Sequence, residues 1–174
     1  MEKPVKRKPT RLTGHDYSQG GVYFLTICAK NREAVFGRIH VPDGSVGGGV
    51  LDAPQNALSE YGIAVERQLH EMAGAYGYIS LLKYVIMPNH IHLLVHLQNG
   101  PSGTPAPTHA QRANQAIPAF VSTLKRMTNK HCGRDLWQRG YYDHIVRNDT
   151  DHLRIWQYIE TNPAKWSEDQ YYTR

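Results

Sequence analysis

The chain has 174 residues, 40% of them hydrophobic, with two cysteines and a formal charge of +5 from twenty Lys and Arg against fifteen Asp and Glu. That length suffices for one domain, residues 1–174, with its own core, and two cysteines cannot build a disulfide framework. With a mean hydropathy of −0.55 no run approaches a membrane span, and the mild basic excess permits a nucleic-acid partner without requiring one.

The first residues, MEKPVKRKPTR, carry Lys3, Lys6, Arg7, Lys8 and Arg11 with no apolar run behind them. They read as a basic arm over about residues 1–12, solvated or DNA-contacting, and not as a secretory signal. GGVYFLTICAK (20–30) is a strand entered through a glycine pair, and VFGRIHV (35–41) is its expected partner. PDGSVGGGVLDAP (42–54) is expected to be a flexible excursion. Leu58, Tyr61, Val65, Leu69 and Met72 fall at helical spacing, with an end expected near Gly74 to Gly77.

Two strands, YISLLKYVIM and HIHLLVHL, follow with Pro88-Asn89 as the turn between them. A Pro- and Gly-rich flexible loop covers about residues 98–114. Pro118 then suits the first turn of a helix that points Phe120 or Val121, Leu124 and Met127 inward and Lys125, Arg126, Asn129 and Lys130 outward. A short strand is expected near His144 to Arg147, and Asp149 or Thr150 can cap a last helix running to Asn162, where Pro163 resists continuation. Strands paired through tight turns favour an α+β fold, an antiparallel sheet with helices packed on one face.

His90 and His92 stand two apart in an apolar strand. Side chains two apart share a strand face about 6.6 Å from each other, so the imidazoles can converge on one ion or one phosphate. His96 shares that face but lies about 20 Å from His90 and cannot join the same site. A histidine triad would need a third histidine where Leu94 stands, so that motif fails.

The longer stretch MPNHIHLLV (87–95) resembles the signature of the single-tyrosine HUH transposases, especially those related to REP-associated tyrosine transposases. HDYSQGGVYFLTICAKNREAVFG resembles the opening of such chains, and LWQRGYYDHIVRN and YIETNPAKW their closing segments. The resemblance implies the ferredoxin-like, RRM-like HUH fold. It also implies a prokaryotic, cytoplasmic, nucleoid-associated transposase acting on single-stranded DNA that carries a hairpin, without a nucleotide cofactor and able to work as a homodimer.

It implies a tyrosine nucleophile as well. At 100° per residue, Leu153, Ile155, Trp156 and Ile159 occupy an arc of about 160° on the last helix. Tyr158 falls off that arc beside Asp151, Arg154 and Asn162, so Tyr158 is the expected nucleophile. Tyr141 and Tyr142, in an aromatic segment, come next; Tyr171 and Tyr172 belong to a polar tail and are discounted. Asn162, one turn beyond Tyr158, shares its side of the helix. The resemblance makes it the third metal ligand with His90 and His92; a helix cap is the other reading. Two imidazoles suit a transition metal, whereas the resemblance implies magnesium or manganese. Arg154 could contact the scissile phosphate, and Lys125, Arg126 and Lys130 the phosphates of a hairpin stem. His144 and Arg147 match a motif of the family without an assigned role. The expected function is cleavage and rejoining of DNA through a 5′-phosphotyrosine. The alternatives are a non-catalytic hairpin-binding module and a metal-dependent phosphoesterase that uses water.

Overall fold

The computed structural model describes residues 20–40, 55–98 and 116–172. The basic arm, the 42–54 excursion and the 98–114 loop, apart from Gln98, lie outside the described residues. In chain order the elements are β1 (Gly21–Cys28), β2 (Gly37–His40), β3 (Gln55–Leu58), α1 (Glu60–Ala75), β4 (Ile79–Met87) and β5 (His90–Leu97), then α2 (Ala116–Cys132), β6 (Tyr142–Ile145) and α3 (Asp149–Thr161). A 3₁₀ segment, Pro163–Glu168, follows α3.

Four strands form one antiparallel sheet in the order β4-β5-β1-β6. The Pro88-Asn89 turn pairs Met87 with His90 and so sets the β4–β5 register, while β1 sets Thr26 opposite His92 and Cys28 opposite His90. The two-residue alternation of strands then sorts the side chains. Tyr23, Leu25 and Ile27 of β1 and Ile91, Leu93, Val95 and Leu97 of β5 face one way. They pack with Val65, Leu69 and Met72 of α1 and with Ile117, Phe120 and Leu124 of α2. Those two helices lie on one face, as expected. The third lies on the other: Ile155 and Ile159 of α3 pack on Phe24 and Leu94.

The expected pairing of 35–41 with the first strand does not form. β1 already has β5 on one side and β6 on the other. Beyond it, Asn31 (φ 54) and Arg32 (φ 57) take left-handed conformations and turn the chain off the sheet. Phe36 is buried against Trp137, ring centroids 4.8 Å apart, and β2 pairs instead with β3 in a separate two-stranded sheet. Leu58 therefore ends a strand and does not begin a helix. Ser59 caps α1, its Oγ accepting from the Gly62 N–H (3.2 Å) and donating to the Val35 carbonyl (2.6 Å). Gly62 is needed at that point, because any Cβ there would collide with the Phe36 carbonyl. The cap of α3 is also one residue earlier than expected, Asn148, whose Oδ1 accepts from the Asp151 N–H at 2.9 Å. An asparagine in extended conformation, φ −160, leaves its side chain free to do this.

Candidate active site

His90 and His92 share the α3 side of β5 and are 0% and 1% exposed. Buried imidazoles need partners. Asn89 Nδ2 donates to the Tyr171 carbonyl (2.7 Å) and the Arg32 carbonyl (3.3 Å), which turns its Oδ1 to His90 Nδ1 at 2.9 Å. His90 therefore carries its proton on Nδ1 and presents the Nε2 lone pair; a hydrogen bond at one ring nitrogen in this way orients the other toward a metal. His92 Nδ1 meets the Thr26 hydroxyl at 2.9 Å, and the two Nε2 atoms face each other at 3.0 Å. Burial holds the His90 pKa down to about 4. It holds His92 well below the usual value too, with the neighbouring His90 charge adding to the effect. Both rings are neutral at pH 7, as metal ligation requires.

Tyr158 projects off the packed side of α3, as the spacing predicts, and is 36% exposed. Its ring meets Phe24 edge-on at 6.0 Å and His92 at 5.1 Å. The phenol oxygen is 3.3 Å from His92 Nε2 and donates to Asp169 Oδ2 at 3.1 Å. Burial, and then the negative charge of Asp169, push its pKa above the ordinary tyrosine value, so the phenol stays protonated. Leu153 is not on the packed side: it is 56% exposed. The contact is narrower than the expected arc because α3 meets the sheet through Ile155 and Ile159 with the half-buried Trp156 beside them.

Asn162 ends α3 and is 2% exposed. Its Nδ2 donates to Asp169 Oδ2 at 2.8 Å, and its buried Oδ1 has no hydrogen-bond partner. An orphaned buried amide oxygen is costly unless something else takes it up. Two neutral imidazoles and such an oxygen, with Asp169 close by, form a donor set that fits a divalent cation.

The discounted tail enters the site. The Tyr171 ring lies 4.6 Å from His90 and 6.1 Å from His92, and Trp166 lies 6.0 Å from His90. Asp169, unmarked by any sequence spacing, gathers with the histidines: one ligand atom from each of His90, His92 and Asp169 lies within 4.8 Å of the others. Tyr172 stays at the margin, 40% exposed and stacked edge-on against Trp166.

Beside the histidines opens a cavity of about 580 Å³ whose lining includes Thr26, His92, Tyr142, His144, Arg154 and Tyr158. Arg154 donates to Asp151 Oδ1 at 2.7 Å, and His144 Nε2 lies 2.7 Å from Asp151 Oδ2. The Arg154 hydrogen bond, then that of His144, hold the Asp151 carboxyl down to about 2. His144 thus ties β6 to α3, and Arg147 adds its backbone N–H to the same carboxylate at 3.4 Å. Arg126 and Lys130 are exposed on α2, across the sheet from the histidines. Lys125, expected on the outward side of the same helix, does not point outward. Its ammonium turns inward to the carbonyls of Gln138 (2.7 Å) and Gly140 (2.5 Å), and burial lowers its pKa to about 8.

A sequence model of the family described as Transposase IS200 like matches residues 55–162, which hold both histidines, Tyr158 and Asn162. The chain belongs to that family. An uncharacterised protein of Haemophilus influenzae is 30% identical over 179 residues, covering 95% of this chain and 93% of its own. A second protein of that organism, provisionally named a REP-associated tyrosine transposase, is 24% identical over 153 residues, 86% of this chain and 74% of its own. The solved structure of a REP-associated tyrosine transposase bound to a REP hairpin has the same fold, with a TM-score of 0.53 at 19% identity over 87% of this chain and 71% of that one. Membership makes this IS200-like transposase a DNA-acting enzyme of the transposition class. No helix among its described residues is long and apolar enough to cross a membrane.

Proposed function

We propose that this IS200-like transposase cuts and rejoins single-stranded DNA beside a hairpin, with Tyr158 as nucleophile and His90, His92 and Asn162 as ligands of magnesium or manganese. The observation that carries the reading is the Tyr158 phenol 3.3 Å from His92 Nε2 within one chain. A binding module has no use for a nucleophile held against a pair of neutral imidazoles. The hairpin part of the reading is supported by the solved structure of similar fold, whose partner is a REP hairpin.

When bound, the cation supplies Lewis-acid stabilisation of the charge that develops on the scissile phosphate. The protein's own part is positioning. α3 brings the phenol oxygen to the edge of the cavity, and the Phe24 and His92 rings, stacked on each other, pack together against its ring. The phenol oxygen forms the bond to phosphorus and releases its proton into the cavity. The bond to the 3′ oxygen breaks, and that oxygen takes a proton from water. The products are a 5′-phosphotyrosine and a free 3′-OH, and a DNA 3′-OH can reverse the step. Arg154 lines the cavity, which supports a role for it at the phosphate. Arg126 and Lys130 serve the hairpin stem, where contacts position the DNA without reading its sequence.

The test is incubation with labelled single-stranded hairpin DNA and Mn²⁺, followed by denaturing electrophoresis. A covalent protein–DNA band that vanishes in Tyr158→Phe is expected. Cleavage that persists in Tyr158→Phe with no covalent band at any time would instead support a phosphoesterase using water.

A further inference from the structure

We propose that the Asp169 carboxylate is the anionic ligand of the cation held by His90 and His92, so that the segment after the tyrosine helix completes the metal centre. This deepens the metal-dependent reading above and rests on it. Among the described residues, no other group of three His, Cys, Asp or Glu side chains offers ligand atoms gathered as closely as His90, His92 and Asp169, within 4.8 Å of one another.

Charge is the first argument. His90, His92 and Asn162 are all neutral donors. A magnesium or manganese ion drawn from water onto side chains this deeply buried gains no compensating charge from them, and hard divalent cations take carboxylate oxygens by preference. Asp169 supplies a formal negative charge and a hard oxygen at that place.

Geometry is the second. A carboxylate offers about four lone-pair positions. Asp169 uses three: Oδ1 accepts from the Tyr171 N–H (2.7 Å), and Oδ2 accepts from Asn162 Nδ2 (2.8 Å) and from the Tyr158 phenol (3.1 Å). Three hydrogen bonds hold the carboxylate with one position left over, and such bonds fix a metal ligand in orientation. The same contacts decide the Asn162 amide. With Nδ2 taken by Asp169, the unpartnered Oδ1 is the atom it has left to offer.

Calorimetric titration of the full chain with Mn²⁺, without DNA, tests this. Asp169→Asn keeps the size of the side chain and an acceptor oxygen but loses the charge. It should bind Mn²⁺ at least about tenfold more weakly than wild type, and Asp169→Ala should be weaker still. An Asp169→Asn protein that binds Mn²⁺ within about threefold of wild type overturns the proposal. A second measurement needs no variant: Mn²⁺ should slow backbone amide exchange across 163–172 in the wild-type chain, and unchanged exchange there counts against Asp169 as a ligand. Neither experiment involves cleavage. Normal Mn²⁺ binding by Asp169→Asn alongside a trapped Tyr158 adduct sinks the Asp169 ligand alone. Weakened binding without any adduct sinks the phosphotyrosine chemistry and leaves Asp169 in place.

Discussion

The two faces of the central sheet come from the same strands and are buried to nearly the same degree, but by different means. On the α1–α2 side, Tyr23, Leu25, Ile27, Ile91, Leu93 and Val95 are each 0% exposed, and apolar contact with the helices covers them. On the α3 side the apolar part shrinks to Phe24, Leu94, Ile155 and Ile159. The neighbouring positions are Thr26, His90 and His92, no more than 2% exposed. Their burial is made tolerable by hydrogen bonds to Asn89 and to one another. One face stabilises by removing hydrocarbon from water. The other holds desolvated polar groups ready for chemistry, at the expense of core that apolar side chains would have supplied. Stability and reactivity are thereby separated by the thickness of one strand.

The largest expected effect lies on the reactive face. Tyr158→Phe should abolish the covalent adduct in denaturing gels while its thermal unfolding stays close to wild type, because the phenol is not part of the packed side of α3. Tyr142→Phe, on the wall of the same cavity, should keep its adduct, and a reversal of the two would move the nucleophile to β6. A paired substitution on β5 then sets one face against the other. Leu93→Ala should cost about 2–5 kcal/mol in urea unfolding. His92→Ala should cost less than that while eliminating cleavage in Mn²⁺, with hairpin binding largely intact; normal cutting by His92→Ala would remove the metal site from this account.

A smaller effect concerns pH. His90 is held neutral down to about 4 by burial, whereas an unfolded histidine protonates near 6.5. Below 6.5 the unfolded chain binds more protons than the folded one, so stability falls as pH drops from 6.5 toward 4. The slope is at most about 1.4 kcal/mol per pH unit for each imidazole, and above 6.5 this contribution is fully present. Melting curves across that range should be shallower for His90→Gln, and identical slopes would show that His90 does not set them. The smallest effect lies farthest from the site. Hairpin binding should weaken with salt, and Arg126→Ala or Lys130→Ala should each lower the salt slope by about 1. Equal affinity for plain duplex DNA would count against hairpin preference.

Local spacing by itself determined a good part of this protein. The apolar runs located β1, β4 and β5, the helical period located α1 and α2, and the two-residue alternation put His90 and His92 on one side. The turn angle of a helix put Tyr158 off the packed side of α3, with Asn162 one turn beyond. All of these follow from backbone geometry acting over a few residues. Only the tertiary structure decided the rest. The partner of β2 depended on both sides of β1 being taken, and the inward turn of Lys125 on two distant carbonyls. Asp169 and Tyr171 reached the histidines because a tail after α3 folds back onto the β4–β5 turn, where Asn89 donates to the Tyr171 carbonyl 82 residues away. No periodicity records a hydrogen bond between groups that far apart in the chain, because what selects it is the unsatisfied polar atom that packing leaves exposed to it.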